Sequence, residues 1–183
     1  LPVLATSCEL LQAADTLNPK QQSQIQRVQR ASQEMRELIH TFLQLARDNL
    51  DNESAAEKTT ITLMVQEQFE QWKPVADSKR LQRLLVEEAP APNHTYNIAL
   101  LRSVVSNLLR NAVHYTDQGH VRLVLTSTGF RVEDSGEGIE PSQREAIFQP
   151  FVRGSGARGE GLGLGLSLVK RICAHQDWQI HLY

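Results

Sequence analysis

Gly159–Ile172 reads GEGLGLGLSLVKRI: glycines at 159, 161, 163 and 165 alternate with other residues and run straight into an amphipathic helical pattern. Glycine permits backbone conformations and close approaches that a Cβ blocks. A glycine-rich stretch opening a helix leaves free N–H groups and the positive end of the helix dipole facing outward, an arrangement suited to phosphate. Alone, the pattern is equally that of a flexible connection before a helix, so its reading depends on the rest of the chain.

Two segments upstream supply that context. NLLRNAVHYT, Asn107 to Thr116, lies where Ile98, Leu101, Val104, Val105, Leu108 and Ala112 recur at helical spacing. Asn107 and Asn111 stand four apart on one face, with His114 and Tyr115 near the same side one turn on. Amides are neutral oxygen donors, suited to a hard cation that already carries phosphate ligands and waters; two solvated or capping asparagines would look the same. VEDSGEGIEP, Val132 to Pro141, places Asp134, Gly136 and Gly138 in a D-x-G-x-G turn after a predicted strand. A carboxylate held there can accept a hydrogen bond from an exocyclic amine such as that of adenine, although Asp and Gly also build ordinary turns.

In this order, with IFQPFVRG (Ile147 to Gly154) between the last two, the segments resemble the N, G1, F and G2 boxes of the catalytic domain of sensor histidine kinases. That domain belongs to the ATP-binding superfamily shared with type II topoisomerases, mismatch-repair ATPases and a heat-shock chaperone. The resemblance covers about Thr59 to Tyr183. It implies ATP and Mg2+ as ligands, with Asn111, and Asn107 beside it, at the metal–triphosphate end and Asn111 as the metal ligand. Asp134 would receive the adenine amine, and Gly136 and Gly138 would let the base lie close. Gly161, Leu162, Gly163, Leu164 and Gly165 would wrap the phosphates, His114 and Tyr115 would flank them, and Arg153 would steady the terminal phosphate. Phe148 and Phe151 are expected beneath the lid or against a helical partner domain, or as plain core. Many family members carry Lys or Arg where this chain has His114, so phosphate binding here is expected to weaken as pH rises and the imidazole loses its proton.

Composition agrees without deciding. A chain of 183 residues, 40% hydrophobic with net charge −2, suits one ordinary core plus an appendage and shows no basic footprint for nucleic acid. No apolar run approaches the ~20 residues that span a bilayer, so no membrane contact by this chain is expected. Cys8 and Cys173 lie in unrelated segments without C-x-x-C spacing and read as packed, reduced thiols. The resemblance implies a cytoplasmic location and leaves open an inner-membrane anchor in the parent protein.

Residues 1–50 read as an antiparallel helix pair. Asn18–Pro19 gives an N-cap and a first-turn proline. Ile25, Val28, Ser32, Met35, Ile39, Phe42 and Ala46 then form a heptad seam, widened by Leu38 and Leu45. So wide a stripe needs a four-helix bundle, hence a homodimer. Polar residues 51–58 read as a linker, and 59–183 as a separate domain. Within it, strands are expected at Thr59–Leu63, Leu81–Glu87, His120–Thr126, Gly129–Glu133 and Gln179–Tyr183. Helices are expected at Met64–Val75, along the asparagine segment, at Gln143–Phe148 and from the glycines to His175, with a lid over Val152–Glu160. The predicted class is α+β: a two-layer α/β sandwich with a mixed sheet, preceded by the dimerising hairpin.

The family's phosphoacceptor histidine, followed by an acidic residue near the start of the hairpin, is missing. The histidines are His40, His94, His114, His120, His175 and His181, none followed by Asp or Glu, and His40 reads as a partly exposed bundle residue. The chain is therefore expected to be a piece of a longer protein that keeps the ATP machinery and does not autophosphorylate. The implied function is transfer of the ATP γ-phosphoryl group to a histidine and onward to an aspartate of a response-regulator partner. An ATPase or serine kinase of the same superfamily, and a non-enzymatic dimerisation and docking module, remain open alternatives at this point.

Overall fold

The computed structural model describes residues 6–7, 11, 17–50, 58–91, 94–152 and 162–183. Helix α1 spans Pro19–Leu50. Its start follows from sequence: Asn18 Oδ1 accepts from the Gln21 amide at 2.9 Å while the Gln21 side chain accepts from the Asn18 amide at 3.0 Å, a reciprocal capping box. The seam residues Val28, Met35, Ile39 and Phe42 are exposed on this helix, whereas Ser32 is buried. Most of the expected first helix (residues 1–5, 8–10 and 12–16) and the linker at 51–57 lie outside the described residues.

The first strand begins at Lys58, which pairs with Asn97. Strand β1 (Lys58–Thr60) runs antiparallel to β3 (Thr95–Asn97). The strand predicted to reach Leu63 stops at Thr60, whose hydroxyl accepts from the Leu63 amide and caps α2 (Ile61–Gln71). The cap wins over β-propensity because Ile61, Met64, Val65 and Phe69 bury one helical face. The helix predicted to continue to Val75 breaks at Trp72, and α3 (Lys73–Ser78) starts afresh with Pro74 in its first turn, where the missing N–H costs nothing.

A mixed three-stranded sheet carries the core, in the order β2-β4-β5. Strand β2 (Gln82–Glu87) runs parallel to β4 (His120–Thr126), and β4 runs antiparallel to β5 (Gly129–Asp134). The parallel pair demands a crossover, which β3 and the 18-residue helix α4 (Ile98–Tyr115) supply. Val121, Leu123 and Leu125 project from β4 into a core with Leu101, Val105, Leu109, Ala112 and Val113 of α4 and the buried face of α2. A second core joins Leu100 and Val104 of α4 to Leu168, Val169, Ile172 and Cys173 of α5 (Gly165–His175). Helix α4 is therefore apolar on two sides, and its remaining side carries the candidate site.

The predicted Gln143–Phe148 helix is two short 3-10 turns, Pro141–Gln143 and Ala146–Phe148. The predicted last strand, Gln179–Tyr183, is not a strand. Trp178 packs edge-on against Tyr96 at 5.4 Å and Ile180 rests on the second core, so side-chain packing holds this tail without a ladder. Arg171 lies over the Phe42 ring at 4.6 Å, and the Thr41 and Ser103 hydroxyls are 3.4 Å apart, which seats α1 on α4 and α5.

Candidate functional site

Helix α4 opens at Asn97, whose side chain accepts from the Ala99 and Leu100 amides. Nearly three turns on, Asn107 is 5% exposed. Its amide nitrogen donates to the Ser103 carbonyl at 2.8 Å, and its oxygen accepts from Arg110 at 2.6 Å. The same oxygen lies 2.8 Å from where a Cβ on Gly165 would stand. The glycine thus lets the start of α5 sit against the asparagine. Asn111, one turn further, is half-buried, and its amide has no hydrogen-bond partner among the described residues. His114 and Tyr115 meet edge to face at 5.1 Å, with Tyr115 exposed.

The Asp134 turn closes on this helix end. Asp134 Oδ1 accepts from the Gly136 amide at 2.9 Å, so one carboxylate oxygen shapes the turn and the other stays available. A Cβ on Gly136 would stand 2.5 Å from the Tyr115 carbonyl oxygen, a contact no other residue type could make. Ser135, between them, accepts from the His120 amide at 2.9 Å and so ties the turn to the start of β4. Gly138 takes a left-handed φ of 73°.

Phe148 is half-buried, with Lys170 5.5 Å from its ring centroid. Phe151 is 72% exposed and left-handed, at φ 66°. Its amide donates to the Gly163 carbonyl at 3.0 Å, joining the end of the F segment to the glycine stretch. Leu162 and Leu164 are half-buried, and the Leu164 carbonyl accepts from the Leu168 amide and the Ser167 hydroxyl as α5 begins. Arg153 and Gly161 lie outside the described residues. The structure therefore brings Asn107, Asn111, His114 and Tyr115 together on one helix, with Gly165 on one side and Asp134 and Gly136 at its end.

Sequence reasoning missed Ser103, Arg110, Ser135 and Lys79. Lys79 Nζ donates to the carbonyls of Val113, His114 and Thr116 at 2.9, 2.9 and 3.1 Å. Nothing in the spacing announces a partner 34 residues away, whereas Ser135 stood inside the turn and could have been singled out.

The donor set suits a nucleotide better than a protein-caged metal. Among the described residues, no three His, Cys, Asp or Glu side chains group to hold an ion. A hard cation at Asn111 would take most of its ligands from phosphate and water.

Residues 96–182, which include this helix, the Asp134 turn and the start of α5, match the Histidine kinase-, DNA gyrase B-, and HSP90-like ATPase family. Sensor protein QseC of Escherichia coli K12 is 34% identical over 137 residues, covering 74% of this chain and 30% of its own length. Sensor histidine kinase CpxA of the same strain is 28% identical over 169 residues, covering 85% of this chain and 35% of its own length. Among solved structures, full-length ShkA in complex with AMPPNP matches with TM-score 0.65 at 26% identity, over 96% of this chain and 38% of that one. The cytoplasmic segment of histidine kinase QseC matches with TM-score 0.55 at 26% identity, over 77% of this chain and 78% of that one. Residues 96–182 thus carry the ATP-binding domain of that family, and the chain is homologous to sensor histidine kinases. It spans about a third of the length of curated relatives such as QseC and CpxA. Among the described residues, no helix is long and apolar enough to cross a membrane.

Proposed function

We propose that this chain binds ATP with Mg2+ between α4, the Asp134 turn and the start of α5. In the whole protein it would present the γ-phosphoryl group to a histidine on the dimeric helical bundle, from which the group passes to an aspartate of a response regulator. The observation that carries the reading is Asp134, with one oxygen spent on the Gly136 amide and the other open beside a glycine edge pressed against Tyr115.

When bound, Mg2+ offsets phosphate charge and polarises the transferring group. The chain's own residues hold and orient. Asp134 accepts the adenine amine, and Asn111 offers its amide oxygen at the metal–triphosphate end. Asn107, already bonded to Ser103 and Arg110, holds the α5 start in place. His114 and Tyr115 flank the phosphates, Gly138 gives the base room, and Gly161 to Gly165, with Leu162 and Leu164, wrap the phosphates from the far side. Arg153 steadies the terminal phosphate. Positioning and electrostatics of this kind carry most of phosphoryl-transfer catalysis. The exposed seam of α1 supports a homodimer, and the likeness to the cytoplasmic segment of QseC supports a cytoplasmic location.

The test is a calorimetric titration with a non-hydrolysable ATP analogue, with and without Mg2+, on wild type and Asp134→Ala. Mg2+-dependent binding that falls at least tenfold in the variant is expected, about the value of a hydrogen bond to a charged group. Equal binding by both proteins would sink the assignment of Asp134.

A further inference from the structure

We propose that Lys79 is a positioning residue for the nucleoside end of the site, one that sets the gap between the end of α4 and the Asp134–Gly136 turn. The proposal rests on the nucleotide reading above and adds to it a residue outside every segment that touches nucleotide.

Lys79 stands on a fixed stem. It closes α3, Arg80 follows in a left-handed conformation at φ 57°, and buried Leu81 returns its amide to the Ala76 carbonyl at 3.0 Å. From that stem the ammonium group reaches across to the last turn of α4, where the carbonyls have no intrahelical partners. Its three protons find three acceptors, the carbonyls of Val113, His114 and Thr116, which is the full donor capacity of an ammonium. Asp117 adds a carboxylate at 3.8 Å. The Ala112 carbonyl is taken by the Thr116 hydroxyl at 2.7 Å.

One carbonyl of this turn, that of Tyr115, is left out of the cluster. It is the one that abuts Gly136, 2.5 Å from the position a Cβ would occupy. With its neighbours on both sides held by one cation, the Tyr115 peptide has little freedom to rotate. The Gly136 amide in turn holds Asp134 Oδ1, so a shift at Tyr115 passes through the glycine to the carboxylate that meets the base. Without the ammonium, three carbonyls must turn toward water, and the Tyr115 peptide turns with them.

Lys79→Met keeps the length of the side chain and removes its protons. In the free protein, amide NMR resonances of Ser135 and Gly136 are expected to shift. Affinities for adenosine and for a non-hydrolysable ATP analogue are expected to fall by the same factor, roughly tenfold, while tripolyphosphate binding falls by less. A variant with a lower thermal midpoint but unmoved resonances and wild-type affinities makes Lys79 a helix cap only and overturns the proposal. A loss confined to the ATP analogue and tripolyphosphate overturns it too, since that is the signature of a remote charge. Should the methionine variant fail to fold, Lys79→Arg serves in its place, because a planar guanidinium cannot aim three protons from one nitrogen. Failure of the nucleotide reading itself is separately visible, as absence of analogue binding by wild type, and the resonance test still reads the positioning role.

Discussion

Cys173 shows how a residue's surroundings set its chemistry. It is 5% exposed in the α4–α5 core, and burial pushes its thiol up to about 11. In the unfolded chain the thiol ionises near pH 8.5. Between these values the native state holds a proton that the unfolded state has lost, so this contribution is intact at lower pH and drains away as pH climbs toward 11. Urea midpoints of wild type are expected to fall more steeply from pH 8.5 to 10.5 than those of Cys173→Ala, a difference that parallel slopes would refute. The same burial keeps the thiol unreactive toward iodoacetamide at neutral pH. Cys173 was legible in sequence as a packed thiol, because a cysteine within an apolar helical stripe has little else to be. Asn107 was half legible: its spacing from Asn111 showed a polar face, but burial and the bond to Arg110 depend on where α5 lands. Lys79 was not legible, since its partners are backbone carbonyls, which leave no trace in sequence.

At the scale of elements, the contact between α4 and α5 turns on Gly165. A Cβ there would meet Asn107 Oδ1 at 2.8 Å and Arg110 Nη2 at 2.9 Å. The arginine end can swing aside; the asparagine can move only by giving up its bonds. Gly165→Ala should therefore destabilise the domain by about 1–2 kcal/mol, the lower part of the overpacking range, despite alanine's better helix propensity. Thermal melts should show a drop of a few degrees. A double-mutant cycle with Asn107→Ala should recover part of that loss, since the clash and its partner vanish together; strict additivity would refute the contact.

The strands followed their sequence where alternation met a turn signal, as in β4 and β5. They departed from it where a cap or a missing neighbour intervened, as at Thr60 and Gln179–Tyr183. A cap competes within four residues and a strand needs a distant partner, so local pattern alone resolves neither. On the outer face of the sheet, Arg131 pairs with Glu88 and Glu133, and Arg122 with Glu133, holding the Glu88 carboxyl below its usual range. Such exposed pairs contribute little, and the buried row of β4 holds the sheet.

For the whole molecule, α1 is the unresolved account of apolar surface. Met35 is 43% and Ile39 49% exposed on a helix already seated against α4 and α5 by Thr41 and Phe42. If the seam forms a symmetric bundle, each buried side chain counts twice, at roughly 1.5–3 kcal/mol per copy. Met35→Glu with Ile39→Glu should then weaken self-association by at least about a hundredfold, read by sedimentation equilibrium, while the α4–α5 core stays folded. Unchanged association would place the dimer contacts elsewhere.

The bond from the Phe151 amide to the Gly163 carbonyl carries a consequence of another kind. Both of its atoms belong to the backbone, so it does not depend on which side chain stands at position 151. Replacing the exposed Phe151 ring while keeping the local backbone should therefore leave the end of the F segment in register with the start of α5.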